Sequence, residues 1–496
     1  MKPGVRVTSG PTGLPELLAP AGTLRNLRYA LAYGADAVYA GIPRYSLRVR
    51  NNEFGTLEAL GEGIAAVRTA GKCFYLAANL MPHGAKLATF IADLEPVIAL
   101  APDALIMSDP GLILLVRERW PEIAIHLSVQ ANTTNAAAVR FWQQQGIRRV
   151  ILSRELSLDE IAEIRQACPD MELEVFVHGA LCIAYSGRCL LSGYLNHRDA
   201  NQGSCTNACR WSYRVGQAVA PSSTAPSGSR GGNADASQDA EVRMDETTRA
   251  VPGGLSANDP LATASRGEGR LPGLGALGPT PTAGRHPEAD QAWLLEEAER
   301  PGEYMALFED EHGSYVMNSR DLRAVEHVDR LSAIGVDSLK IEGRTKSHYY
   351  TARTTSVYRR AIDDAAAGRG FDRGLLDELE GLANRGYTEG FLRRHAPSEL
   401  QNYAAGSSVS ERRQFVGELA RVDAASGLAE IRVRNRFVLG DELEWITPRG
   451  LQRFRLEQLS ATDGRPLEAA PGDGWTVRIP MPEQPLAPES LLAKVI

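Results

Sequence analysis

The sequence predicts an α/β fold: a closed parallel barrel of eight βα units carrying a long insert, followed by helices and a small C-terminal β-barrel domain. Three observations predict it. Short runs that are apolar on both faces recur along the first 180 residues. Each is followed by a helical pattern, the arrangement of a parallel sheet covered by helices. Polar residues gather just behind these runs, where TIM-like (β/α)8 barrels place their sites. Beyond residue 401 the helical patterns give way to short alternating strands between turn residues.

In order, residues 16–20 form the first expected strand. A helix follows with Leu24, Leu27 and Leu31 on one stripe. Strands two to seven are expected over 37–41, 72–78, 104–107, 123–129, 150–152 and 173–177, with a helix at 61–70 before the third. Ser157 followed by Glu160 is a capping-box signature. The eighth unit comes late: a helix over 321–334, with Leu322, Val325, Val328, Leu331 and Ile334 on one face, then a strand over 338–341. Eight units favour a closed barrel over an open sheet.

Residues 217–290 are rich in Gly, Pro, Ser, Ala and Thr and read as a disordered insert. Between 293 and 315 a short helix and a hairpin turning at His312-Gly313 are expected, and 347–367 and 375–385 read as helices. Strands over 415–419, 429–433, 442–446, 454–456 and 475–479 make the small domain. Alternation over 431–436 puts three arginines on one face. The expected parts are therefore 12–216, the first seven units and a Cys-rich loop; 217–290, the insert; 291–400, barrel completion and helices; and 401–484, the β-domain.

Composition bounds the function. Hydrophobic content of 43% and charge of 23% are those of a soluble protein. A net charge of −7 excludes a global basic field, so any RNA site must be a local patch. The start, MKPGVRVTSG, lacks an apolar secretory region, and no run has the roughly eighteen apolar residues of a membrane helix. A cytoplasmic protein without a membrane partner is expected.

The chemistry centres on 174–210, EVFVHGALCIAYSGRCLLSGYLNHRDANQGSCTNACR. Cys182, Cys189, Cys205 and Cys209 are spaced C-x6-C-x15-C-x3-C. Only the last pair resembles a zinc knuckle, and disulfides are disfavoured in the cytosol. Loose spacing suits an iron–sulfur cluster, with structural zinc the competing reading. Cys73, in a buried strand, and Cys168, on an apolar helix face, read as core residues.

His178 ends the seventh strand, where a general acid/base or a histidine bonded into the barrel rim is equally expected. Asp109, Gln130, Asn132, Arg154, Glu155, Glu342 and Arg344 also follow strand ends. Together they can line a pocket for a small anion, although rim salt bridges explain any one of them singly. Arg44, Arg48 and Arg50, then Lys340, Arg344 and Lys346, and later Arg393 and Arg394, lie among Tyr349, Tyr350, Tyr387 and Phe391. Interleaved cations and aromatics suit single-stranded RNA, and ordinary solvated helix faces are the bland alternative. There is no G-x-S-x-G elbow, H-E-x-x-H, Walker A loop or G-x-G-x-x-G fingerprint after a strand.

Three stretches carry a family resemblance: ELLAPAGTLRNLRYALAYGADAVYAG, the Cys-rich segment and SLKIEGRTKSHYYTARTTSVYRRAID. They resemble the collagenase-like peptidase family U-32. Matches such as RYSLRVRNNEF, PDALIMSDPGL, FEDEHG and RGYTEGFLRRH are similar to its tRNA 5-hydroxyuridine synthase branch. The resemblance implies oxygen-independent, prephenate-dependent hydroxylation of uridine 34 in the tRNA anticodon loop. It also implies a [4Fe–4S] cluster on Cys182, Cys189, Cys205 and Cys209, served by iron–sulfur assembly and electron-donor proteins. On that reading Arg154, Arg344, Gln130 and Asn132 bind the carboxylate cofactor, and His178 and Glu155 move protons. Arg44, Arg48, Arg50, Lys346, Arg393 and Arg394 then grip RNA. A U-32-type peptidase and a zinc-stabilised RNA-binding protein without catalysis are the alternatives.

Overall fold

The computed structural model describes residues 14–42, 44–47, 53–181, 213–217, 293–297, 304–307, 309–310, 313–314, 320–384, 386–393, 412–482 and 485–496, with backbone alone between 213 and 314. The chain forms two compact units, 1–209 with 318–496, and 210–317.

The first unit holds the barrel. Strands β1 (Glu16–Pro20), β2 (Ala37–Gly41), β3 (Cys73–Ala78), β4 (Ala104–Met107), β5 (Ile125–Leu127), β6 (Arg149–Ile151) and β7 (Glu172–Ala180) pair in parallel, each with the next. The strand Ser338–Ile341 pairs in parallel with both β1 and β7 and closes the ring. The eight expected strands are therefore all present, with their order and closure.

Strand parity separates two apolar layers. Leu17, Val38, Phe74, Leu105, Val150 and Val175 pack with the surrounding helices. Alternate residues, among them Leu18, Tyr39, Tyr75, Ile106, Ile151 and Phe176, fill the lumen. The lumen below them is charged. Arg149 Nη1 lies 2.7 Å from Glu16 and 3.2 Å from Glu174, and Arg149 Nη2 lies 3.0 Å from Glu172. Lys340 bonds Glu174 at 2.7 Å, and the Tyr75 and Ser338 hydroxyls donate to Glu16 at 2.6 and 3.0 Å. Burial pushes the Glu16 carboxyl up, and Arg149 pulls it back. Burial opposes the Arg149 charge, but Glu16 and its neighbours carry it well above the ordinary value.

Local chemistry starts the helices. Ser157 and Glu160 form the expected capping box, worth about 1 kcal/mol. Asp109 accepts from Leu112 N at 2.8 Å as the N-cap of Pro110–Arg119. Asp-Pro at a helix start is a capping signal, so this residue serves a helix rather than the pocket.

Two expected helices are corrected. Residues 321–334 begin not as helix but as strand Asp321–Arg323, antiparallel to the end of β7. Pairing of β6 with β7 ends at Glu174, so the last residues of β7 leave an edge on that side, and that edge captures the segment; the helix proper is Val328–Ile334. In the second unit Trp293–Glu297 is a strand, antiparallel to Tyr213–Gln217 and Tyr304–Leu307, where a short helix is expected. A short hairpin pairs Glu309–Asp310 with Gly313–Ser314, so Gly313, expected in the turn, lies in a strand instead. Most of 217–290 lies outside the described residues.

β7 and the closing strand meet through glycine. Gly179 has φ +107°, and a Cβ there would stand 2.6 Å from the Glu342 carbonyl oxygen. Gly179→Ala is therefore expected to destabilise by roughly 2–3 kcal/mol through strain and overpacking. Denaturant midpoints check this, and an unchanged midpoint counts against the close approach.

The C-terminal part is a seven-stranded antiparallel sheet of Arg413–Asp423, Leu428–Val433, Glu442–Thr447, Gly450–Arg455, Ser460–Ala461, Thr476–Pro480 and Leu491–Val495. Leu491–Val495 lies inside the sheet, beyond the expected end at 484. The sheet packs on the barrel helices. The Tyr33 hydroxyl meets the Ile446 and Glu489 carbonyls at 2.9 and 3.0 Å, and Arg353, buried, lies 3.7 Å from Glu444. Among the described residues no helix is long and apolar enough to cross a membrane.

Candidate active site at the barrel rim

The C-terminal ends of the strands carry a polar belt. Ser108 donates to the Asn79 carbonyl at 2.9 Å, and the Asn79 amide donates to Ser128 Oγ at 3.3 Å. The Ser153 hydroxyl lies 2.8 Å from the Asn132 side-chain oxygen and against the Glu155 carboxylate. A hydroxyl has one hydrogen. If Glu155 is ionised and takes that hydrogen, Asn132 must turn its NH2 to Ser153, which fixes both side chains. Asn132 sits in the left-handed region, φ +53°, at the end of a short 3-10 turn, Val129–Ala131, which also holds the half-buried Gln130. That backbone aims the asparagine side chain at the Ser153 hydroxyl, which stands just after β6.

Two guanidinium groups frame the opening. Arg154 lies 4.2 Å over the Phe176 ring and donates to the Ala180 carbonyl at 2.6 Å. Its buried Nε has no partner, and no carboxylate pairs with it among the described residues. Arg344 reaches across to Ser46 Oγ at 2.7 Å. It passes over Gly41, where any Cβ would collide with it. Beneath them Lys340 stands 4.3 Å from the centre of the Tyr39 ring, whose hydroxyl donates to the Ile341 carbonyl at 2.9 Å. Lys340 is only 2% exposed and is pushed down by burial, so it belongs to the lumen and not to a surface RNA cluster. A cationic floor with one unpartnered buried guanidinium N–H fits a small carboxylate.

His178 is placed differently. It is enclosed by the rings of Tyr350, Tyr358 and Tyr387, at 5.8, 5.5 and 5.4 Å, and its Nδ1 lies 3.3 Å from the Tyr358 hydroxyl. A register shift between Lys340 and Ile341 accompanies this turn of β7 toward the helix His348–Ala366. Burial lowers its pKa to about 3. The depressed value makes its stabilising contribution whole above about 6.5 and progressively lost as pH falls toward the folded value. The imidazole is therefore expected to stay neutral from pH 5 to 8, checked by its carbon–nitrogen chemical shifts; a titration near 6.5 excludes this burial.

Of the expected RNA contacts, Arg44 pairs with Asp93 at 2.7 Å and Arg393 with Glu389 at 3.1 Å. Lys346 lies 5.5 Å from the Tyr350 ring centre. Arg48, Arg50 and Arg394, and the cluster cysteines Cys182, Cys189, Cys205 and Cys209, lie outside the described residues. Cys73, pushed up to about 11 by burial, and Cys168, capping its helix, are free thiols away from the belt. Sequence reasoning missed Ser46, Asn79, Ser128 and the lumenal role of Lys340. Inward parity at a strand end is the signal that finds Asn79, Ser128 and Lys340; Ser46 lies in the loop behind β2, where parity gives no signal.

The fold and rim define a (β/α)8-barrel protein with two guanidinium groups at its mouth and an attached antiparallel domain. Residues 22–402 match Peptidase family U32 and residues 411–493 match the Peptidase family U32 C-terminal domain. The chain belongs to this family. It is 57% identical to tRNA hydroxylation protein P of Escherichia coli (strain K12) over 469 residues, covering 95% of this chain and 94% of that one. The protein of the same name from Haemophilus influenzae (strain ATCC 51907 / DSM 11121 / KW20 / Rd) is 55% identical over the same shares. The 23S rRNA 5-hydroxycytidine C2501 synthase of Escherichia coli (strain K12) is 35% identical over 200 residues, 40% of this chain and 30% of that protein.

Proposed function

We propose that the chain is a tRNA-modifying hydroxylase that forms 5-hydroxyuridine at position 34 of the anticodon loop, with prephenate bound at the barrel mouth. The observation that carries the reading is end-to-end similarity, at 57% and 55% identity, to two proteins named for tRNA hydroxylation. The rim supports it with a cation set suited to a carboxylate. Arg154 binds one carboxylate through its unpartnered Nε–H, and Arg344, braced by Ser46, orients the other end. Gln130 and Asn132 supply amide contacts.

A [4Fe–4S] cluster on Cys182, Cys189, Cys205 and Cys209 would supply electron transfer when bound. Glu155, held by Ser153, accepts or returns a proton on this reading. His178, neutral behind three tyrosines, positions the end of β7 instead. An anticodon loop brings an unpaired base, so no duplex need open. Arg44, Lys346 and Arg393 are the described cations expected to contact it, and Arg48, Arg50 and Arg394 lie outside the described residues.

Deleting the gene tests the reading, with nucleosides of total tRNA measured by mass spectrometry. 5-hydroxyuridine and its derivatives are expected to fall to background and return with the intact gene. Normal levels in the deletion strain overturn the proposal. Anaerobically purified protein should also carry iron and sulfide; zinc near one per chain without iron supports the non-catalytic alternative.

A further inference from the structure

The three arginines of the 431–436 stretch do not simply face solvent. Arg432 and Arg434 both reach Glu418 Oε1, at 3.2 and 3.1 Å. Arg25, from the first turn of the helix Leu24–Ala32 of the barrel, pairs with Oε2 of the same carboxylate, and His348 Nε2 lies 3.4 Å from it. Glu418 is buried, with its side chain 2% exposed, whereas Arg25, Arg432 and Arg434 are 37%, 53% and 32% exposed. One carboxylate thus sits beneath three guanidinium groups whose outer N–H groups reach solvent. Asp473 holds Arg434 at 2.9 Å, while Arg436, exposed two residues on, has no ion-pair partner among the described residues.

Three guanidinium groups therefore meet two carboxylates, with the exposed Arg436 two residues further along the chain, and His348 adds no negative charge. The like charges feel one another. Burial first, and after Tyr29's opposing pull Arg434 and Arg432, act on Arg25. Burial, then Arg25 and Arg434, drive His348 down to about 3. Packing more like charges together than their counter-ions balance is unfavourable, and a bound polyanion relieves it.

Location narrows the partner. Helices leave a barrel's strands at the C-terminal face, so Arg25 and His348, at the starts of their helices, lie on the side of the mouth. Asn26, beside Arg25, donates to the Lys346 carbonyl at 2.9 Å, tying the seam to the loop that carries Arg344. The clamp at Glu418 also fixes the C-terminal sheet against this edge.

We infer that Arg25, Arg432, Arg434 and Arg436 form a binding site for the sugar–phosphate backbone of RNA, on the seam between barrel and C-terminal domain beside the mouth. Forked guanidinium groups suit phosphate oxygens, and a fixed row of them sets the register of a strand entering the mouth. This site rests on the tRNA reading above and adds to it where the RNA is held.

The test uses the full chain and an unmodified tRNA transcript, with affinity measured across a salt series. Arg432→Ala with Arg436→Ala leaves Arg25 and Arg434 on Glu418, so folding is expected to be retained, as checked by melting temperature. Binding should weaken about tenfold or more, and the slope of log affinity on log salt should fall by about 0.7 per arginine removed. Arg421→Ala, in the same domain and paired with Glu430, should leave both unchanged. A double variant with wild-type affinity and slope, or Arg421→Ala weakening binding equally, overturns the site while leaving the hydroxylase reading intact. A wild-type chain that binds no tRNA overturns both.

Discussion

Replacing Arg149 with methionine is expected to destabilise the chain by about 3–5 kcal/mol, the usual consequence of removing one partner from a buried ion network. Glu16, Glu172 and Glu174 would then face one another in the lumen with Lys340 as their remaining lumenal cation. The pH dependence gives a second signature. Glu16 is already raised by burial, and without Arg149 it rises further. A carboxyl whose folded pKa exceeds its unfolded value, about 4.3, favours folding below that value and loses the contribution as pH climbs. The deficit should thus be large at neutral pH and shrink as pH drops toward 4. Urea midpoints at pH 7.5 and 4.5 check this; an equal deficit at both values means that the carboxylates are not what Arg149 holds.

The second large effect concerns the mouth. Arg154→Ala removes the guanidinium over Phe176 and is expected to weaken prephenate binding roughly 10–100-fold, about 1.5–3 kcal/mol for a charged hydrogen bond. Calorimetric titration reads this without turnover. Arg154→Lys should restore only part, because an ammonium cannot fork to a carboxylate. Hydroxylation should recover at high prephenate in both variants. An unchanged dissociation constant in Arg154→Ala removes this residue from the binding role.

Much of the barrel was legible because parallel strands are buried on both faces and read as continuous apolar runs, as in 73–78 and 104–107. What misled was local pattern overruled by tertiary pairing. Leu322, Val325 and Val328 keep helical spacing, yet Asp321–Arg323 finds a free strand edge. Trp293–Glu297 combines leucines with glutamates, good helix formers, and is a strand between two partners. Rim residues were legible only where position after a strand implied orientation. Arg154 and Asn132 met that condition. Asp109 met it too and caps a helix, because the same location serves both purposes. Lys340 looked like surface charge, since sequence alone does not state which parity faces the lumen.

Ring closure has a temporal side. Ser338 and Glu16, hydrogen-bonded across the last seam, are 322 residues apart along the chain. At roughly 5–20 residues per second, a ribosome needs roughly 15–60 s to make the stretch between them. Within that interval, once β7 is made, β1 and β7 keep unpaired edges until the closing strand follows, able to recruit neighbouring polypeptides. Chaperone engagement during translation, and aggregation when synthesis stalls before residue 338, follow from where the last stave of the ring is encoded.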